Sequence, residues 1–154
     1  MENTATRIDW IGNSCRLLKA TAAEFERTRP FEGLTIGTGI HLEPKTVALL
    51  TTLRAGGADL VCTGNLNSTQ PATVEYLRSQ GITVFATQTT DPAEHHRSLE
   101  AVVDAKPDLL LDNGGDLFAI VHGPGREPVS FLGSGISPSA ATAESMRAGG
   151  EETA

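Results

Sequence analysis

Apolar residues recur at Ile11, Cys15, Leu18, Ala22 and Phe25. Spacings of four and three put them on one stripe of a single helix. Arg29-Pro30 closes that helix, because the residue before a proline is pushed out of the α region. The pattern then changes. Leu34-Thr35-Ile36-Gly37-Thr38-Gly39-Ile40 is a short β-leaning run rich in glycine. A second helix starts at Glu43-Pro44, since proline suits a first turn whose N–H would be unpaired anyway. Thr46, Leu49, Leu50 and Leu53 keep helical spacing, and Gly56-Gly57 ends it.

The cycle repeats. Ala58 to Thr63 reads as a buried strand, Pro71 to Gln80 as a helix stopped by Gly81, and Ile82 to Ala86 as a strand. Asp91-Pro92-Ala93-Glu94 combines an N-cap acid, a proline at the first helical position and an acid at the third. The helix it opens runs to about Asp104. Asp108 to Asp112 is another buried strand, Asn113-Gly114-Gly115 a turn, and Asp116 starts the next helix. Strands alternating with helices imply βαβ units and a parallel sheet, with right-handed crossovers placing helices on both faces. The expected fold is a single α/β domain, a doubly wound parallel sheet of four or five strands. After His122 the pattern degrades. Gly123-Pro124-Gly125 is a break, Val129 to Leu132 is a candidate fifth strand, and Ser134 to Ala148 is rich in small residues. The chain thus divides into an N-terminal helical segment (1–30), an α/β domain (31–122) and a divergent segment (123–154) that ends on a Glu-Glu-Thr loop.

Composition narrows the classes. The chain has 154 residues, with 19 Asp or Glu against 12 Lys or Arg and a formal charge of −7. An acidic chain without a basic stripe is poorly suited to a phosphate backbone, so no nucleic-acid partner is expected. No apolar run approaches the roughly 20 residues of a membrane helix. Met1-Glu2-Asn3-Thr4 lacks the basic flank and apolar core of a signal peptide. Cys15 and Cys62 have no metal or redox spacing and read as two reduced thiols, which points to the cytoplasm. No metal site is expected.

In open parallel sheets, ligands bind outside the carboxyl ends of the strands. That rule nominates Gly39 to Glu43, Gly64 to Gln70, Gln88 to Asp91 and Asp112 to Asp116. Their polar residues suit a ligand with several hydroxyls or an amide-like ring edge. Plainer accounts stand beside this one. His41 could cap the next helix or bond a loop carbonyl, Ser68 to Pro71 could be a polar helix start, and Gly114-Gly115 could be turn chemistry alone. His95-His96 reads as surface and Asp91 as a cap only. Gly37-Thr38-Gly39 lacks the third glycine of a dinucleotide fingerprint.

Five segments carry a resemblance. His41-Leu42-Glu43-Pro44-Lys45-Thr46, Asn65-Leu66-Asn67-Ser68-Thr69-Gln70, Gly81 to Ala86, Leu111-Asp112-Asn113-Gly114-Gly115-Asp116 and Gly150-Glu151-Glu152-Thr153 stand in this order. Together they resemble the N-terminal, substrate-binding domain of S-adenosylhomocysteine hydrolases, continuously from about Phe31 to Asp116. That family cleaves S-adenosylhomocysteine reversibly to adenosine and homocysteine, with NAD held by a separate Rossmann domain. The resemblance implies that His41 passes protons near the 5′ position. It places Glu43 and Lys45 at the adenine edge, Asn65, Ser68, Thr69 and Gln70 along the same cleft, and Glu152 on the ribose hydroxyls. Leu42, Thr46, Asp112, Asp116 and Thr153 fall in the same substrate-binding motifs, and Asn113 at a catalytic position.

The departures shape the expectation. The family usually has two aspartates before the glycine pair, and here the second is Asn113. An amide keeps the shape but cannot take up or release a proton at neutral pH. Pro71 replaces a usual aspartate, and Gly123 to Gly149 departs from the family. The chain stops at Ala154, where the family continues toward a lysine–aspartate pair and the NAD domain. The expected function is therefore the adenosine- or S-adenosylhomocysteine-binding half of such an enzyme. This chain alone would bind no cofactor and would not complete the reaction, because the redox step has no hydride acceptor. NAD would enter through a separate partner chain, or a homo-oligomer would supply the missing wall. Two alternatives stay open: a stand-alone nucleoside binder or degenerate homologue, and an NAD-independent enzyme reusing the pocket.

Overall fold

A computed structural model of the protein describes residues 4–124. The elements alternate as the sequence pattern predicts. Two helices, α1 (Thr4–Ser14) and α2 (Arg16–Thr28), precede β1 (Thr35–Gly39), α3 (Pro44–Ala55), β2 (Asp59–Thr63), α4 (Pro71–Ser79), β3 (Thr83–Val84), α5 (Pro92–Asp104), β4 (Leu109–Asp112) and α6 (Asp116–Val121). The candidate fifth strand at 129–132 and the candidate site residues Glu152 and Thr153 lie outside the described residues.

Two expectations change. The single N-terminal helix is two. The Ser14 hydroxyl donates to the Trp10 carbonyl at 2.8 Å, and Cys15 leaves the helical conformation at ψ 69°. Such back-bonding competes with the helix's own ladder and bends it. The apolar stripe is only partly covered, and no residue of α2 is fully buried. The third strand shrinks to Thr83–Val84. It is an edge strand, and the Arg78 guanidinium takes the carbonyls of Val84 (2.7 Å) and Ala86 (3.4 Å). That charge covers an edge that would otherwise be free to pair.

The four strands form one parallel sheet in the order β3-β2-β1-β4. Helices cover both faces. One core cluster is built by Leu42, Val47, Leu50, Leu60, Cys62 and Leu77, and the other by Leu99, Val102, Leu110 and Leu117. The chain runs outward from β1 to β2 to β3, then returns through α5 to set β4 on the other side of β1. The switch point therefore lies between β1 and β4, where Gly39 pairs with Asp112. Ligands of open α/β sheets bind in the crevice at such a point.

The glycines of β1 make room for this arrangement. A Cβ at Gly37 would lie 2.8 Å from Leu110 Cδ2 and Pro107 Cγ and 3.0 Å from Val102 Cγ1. Gly37→Val should therefore force α5 off the sheet. We expect a loss of about 3 kcal/mol, the upper end for overpacking a core, measured by urea denaturation. A loss below about 1 kcal/mol would show that this face yields more easily than close packing allows.

Candidate functional site

Three loops meet at the carboxyl edge of the sheet, and side chains join them. His41, after β1, places Nδ1 2.7 Å from the Ser68 hydroxyl in the loop after β2. Ser68 Oγ also lies 3.3 Å from the Asn65 carbonyl, to which it donates. Asn65 Nδ2 donates to Asn113 Oδ1 at 3.2 Å, in the loop after β4. A continuous polar chain thus runs His41–Ser68–Asn65–Asn113 across the switch point. When the Ser68 hydrogen is on the Asn65 carbonyl, His41 carries its hydrogen on Nδ1 and leaves Nε2 as an acceptor. When that hydrogen goes to Nδ1 instead, Nε2–H is a donor. In both cases one ring nitrogen has no protein partner among the described residues, and the residue is exposed.

This geometry decides the plainer accounts. His41 caps nothing: Glu43 stands at the N-cap of α3 and makes no side-chain cap bond. Gln70 likewise stands at the N-cap of α4 without a side-chain bond, so Ser68 to Gln70 is not a capping run. Thr46 pins the first loop by donating to the His41 carbonyl at 2.6 Å, and buried Thr69 donates to the Asn65 carbonyl at 3.3 Å. Leu42 is fully buried in the core, and its carbonyl receives the Gln70 N–H at 3.1 Å. These residues shape the loops. Asn67 adopts a left-handed φ of 66° and sends its N–H to the Thr89 carbonyl at 3.2 Å, tying in the loop after β3.

Asp112 also has a task other than the one its motif suggests. Its Oδ2 accepts from the Leu117 and Phe118 N–H groups at 2.9 and 3.2 Å, and its Oδ1 from Gly114 N–H at 3.1 Å. The carboxylate satisfies the free donors at the start of α6, where Gly115 at φ 83° offers no side chain to do so. Asp112 builds the turn on which Asn113 sits.

At the rim Lys45 pairs with Glu43 at 3.0 Å. An exposed pair of this kind contributes at most about 1 kcal/mol, so it opens readily for a ligand. With Asp112 and Asp116, Glu43 makes three carboxylates at the edge to the one ammonium of Lys45. That balance suits hydroxyls and amide-like ring edges better than phosphate. Cys62 ends no chemistry here: burial pushes its thiol up to about 11, so it stays protonated at neutral pH. The Thr89 hydroxyl, and then that of Thr87, hold the Glu94 carboxyl below its usual range and settle the loop into α5.

His95 was expected on the surface and is not there. Its side chain is 13% exposed, and its Nε2 lies 3.8 Å from Asp116 Oδ2. The signal was available: in a helix starting at Pro92, His95 falls one turn from Leu99, which is buried. Asp91 caps α5 as expected, accepting from Ala93 N–H at 2.9 Å. Among the described residues, no group of three or more His, Cys, Asp or Glu could hold a metal. None of their helices is long and apolar enough to cross a membrane.

Comparison with known proteins gives a consistent result. The sequence model of S-adenosyl-L-homocysteine hydrolase matches residues 6–144, taking in α1 and α2 and running past the break at Gly123. The chain is 41% identical to an adenosylhomocysteinase of Thermotoga maritima over 143 residues, 92% of this chain and 35% of that protein. It is 36% identical to an adenosylhomocysteinase of Archaeoglobus fulgidus over 118 residues, 76% of this chain and 29% of the relative. It is 38% identical to an S-inosyl-L-homocysteine hydrolase of Methanococcus maripaludis over 117 residues, 75% of this chain and 28% of the relative. The chain spans about a third of the length of the relatives it matches.

Proposed function

The chain belongs to the S-adenosyl-L-homocysteine hydrolase family, and from that premise we propose that it forms the wall of the cleft that binds the nucleoside of the substrate. The observation that carries this reading is the polar chain His41–Ser68–Asn65–Asn113 at the switch point. It offers ring, hydroxyl and amide groups in one line, which matches the hydroxyls of a ribose and the edge of a purine. The relatives are named for adenosyl and for inosyl substrates. The Glu43–Lys45 pair presents one acceptor and one donor side by side, and this combination meets the edge of either base.

NAD does not fit the described residues. The glycines of β1 are spent on packing. The space at Gly37 is filled by Leu110, Pro107 and Val102, and that at Gly39 by Leu117. A phosphate cradle needs that space and backbone N–H groups aimed into it. In this proposal the cofactor is held by an NAD-binding half other than the described residues, and those residues do not turn substrate over without it.

His41 is the proton-handling group of the proposal, since its free ring nitrogen lies at the exposed edge. Asn113 accepts from Asn65 just as a carboxylate would, so the cleft keeps its shape. It cannot exchange a proton. This favours binding without turnover as the second reading.

Calorimetry of the full chain with adenosine, inosine, S-adenosylhomocysteine and homocysteine tests the proposal. A weak nucleoside affinity is expected, because an open wall buries only part of the ligand. Absence of heat with every nucleoside at millimolar concentration would refute it. With S-adenosylhomocysteine and NAD, the chain alone should release no thiol. Asn113→Asp, supplied with a complementing NAD half, should raise turnover by about 100-fold or more if the missing carboxylate limits proton transfer. Unchanged turnover would assign the proton chemistry elsewhere.

A further inference from the structure

His95 stands one turn into α5, with Nε2 buried and without a hydrogen-bond partner among the described residues. A buried ring nitrogen left unpaired is uncommon and calls for a physical account. The nearest acid is Asp116, at 3.8 Å, within reach of an ion pair but too far for a hydrogen bond. Asp116 is half exposed and opens α6, and only Gly114 and Gly115 separate it from Asn113. A Cβ at Gly114 would lie 3.1 Å from Asp116 Oδ2 and 3.5 Å from Asn65 Nδ2. The Asp116 carboxylate and the Asn65 amide that holds Asn113 thus both border the Gly114 position. A Cβ at Gly115 would meet nothing within 4 Å, so the turn has room to move.

We propose that His95 is a positioning residue for the Asn113 loop: when the Gly114-Gly115 turn closes over a bound nucleoside, the Asp116 carboxylate comes onto the His95 imidazole. The inference rests on the nucleoside-binding reading above and deepens it. A shift of about 1 Å turns the present contact into a charge-assisted hydrogen bond, and two glycines supply the backbone freedom for it. Other charged groups near His95 are already engaged or distant. On α5, Asp91 caps Ala93 N–H, Glu94 accepts from Thr87, His96 faces Glu100 at 3.6 Å, and Arg97 is exposed. On β4, Asp112 is held by three backbone N–H groups. Strand β1 has no titratable side chain. On β2, Asp59 is at the opposite end and Cys62 belongs to the core of the other face. Asp116 is the acid left to answer His95.

The test is adenosine affinity of the full chain by calorimetry. His95→Phe keeps the ring bulk and removes the nitrogen, and it should weaken binding by about tenfold, the scale of one hydrogen bond to a charged group. His95→Gln, which keeps a donor, should stay within about threefold of the wild type. In an Asn113→Ala background, His95→Phe should add little, because the loop it positions no longer carries its group. Equal losses for Phe and Gln, or full additivity with Asn113→Ala, would overturn the proposal. If no nucleoside binds at all, the nucleoside reading fails by itself, and the contact is judged from melting temperatures. The losses from His95→Phe and Asp116→Asn should then be non-additive. Additive losses would overturn the contact as well.

Discussion

Leu117→Ala is expected to lower stability by about 3–4 kcal/mol, the cost of emptying a fully buried leucine site that cannot collapse. Leu117 is completely buried in the first turn of α6, in the core cluster with Leu99, Val102 and Leu110. Its Cγ and Cδ1 lie 3.0 Å from the place a Gly39 side chain would occupy. The last residue of β1 has no side chain there, so the leucine fills that space. Its N–H is also one of the donors to Asp112. Emptying the site thus loosens core and turn together. Urea denaturation measures the first effect, and nucleoside affinity should fall in parallel as the Asn113 loop loses its support. A loss below about 1 kcal/mol would show that α6 contributes little to the fold. Intact affinity would show that the turn is held by Asp112 alone.

His41→Ala should behave in the opposite way. The residue is exposed and its one side-chain bond is to Ser68, so stability should change by less than about 1 kcal/mol. Adenosine affinity should fall by about tenfold or more, since the variant removes the group nearest the open edge and frees the Ser68 hydroxyl. Ser68→Ala should have a smaller effect in the same direction, because His41 remains but loses its orientation. Affinity unchanged in His41→Ala, with the fold intact, would place the nucleoside elsewhere on the edge.

The two variants mark what could be read along the chain and what could not. The alternation of strands and helices, the starts of α3, α4 and α5 at their prolines, and the Asp91 cap were legible because each depends on residues within one or two turns. The break at Ser14-Cys15 was not. A stripe at helical spacing records which side is apolar and does not register a hydroxyl turning back on its own helix. The two-residue β3 was overestimated for a related reason. Periodicity shows apolar residues, whereas strand length depends on pairing, and only Thr83 and Val84 are in register with β2.

The site divides along the same line. The sequence by itself determined the α/β alternation, the segments at the carboxyl ends of the strands and the family they resemble, since motif order survives without coordinates. Only the tertiary structure decided what the residues in those segments do. The return through α5 places β4 against β1 and brings Asn113 to Asn65, while the parallel pairing of β1 with β2 sets His41 against Ser68. Packing of the helices on the sheet sends Leu42 into the core and buries His95 beside Asp116. Side-chain periodicity is a local property, set by backbone geometry over a few residues. Partnership across a switch point depends on strand order, which the local pattern of apolar and polar positions does not encode.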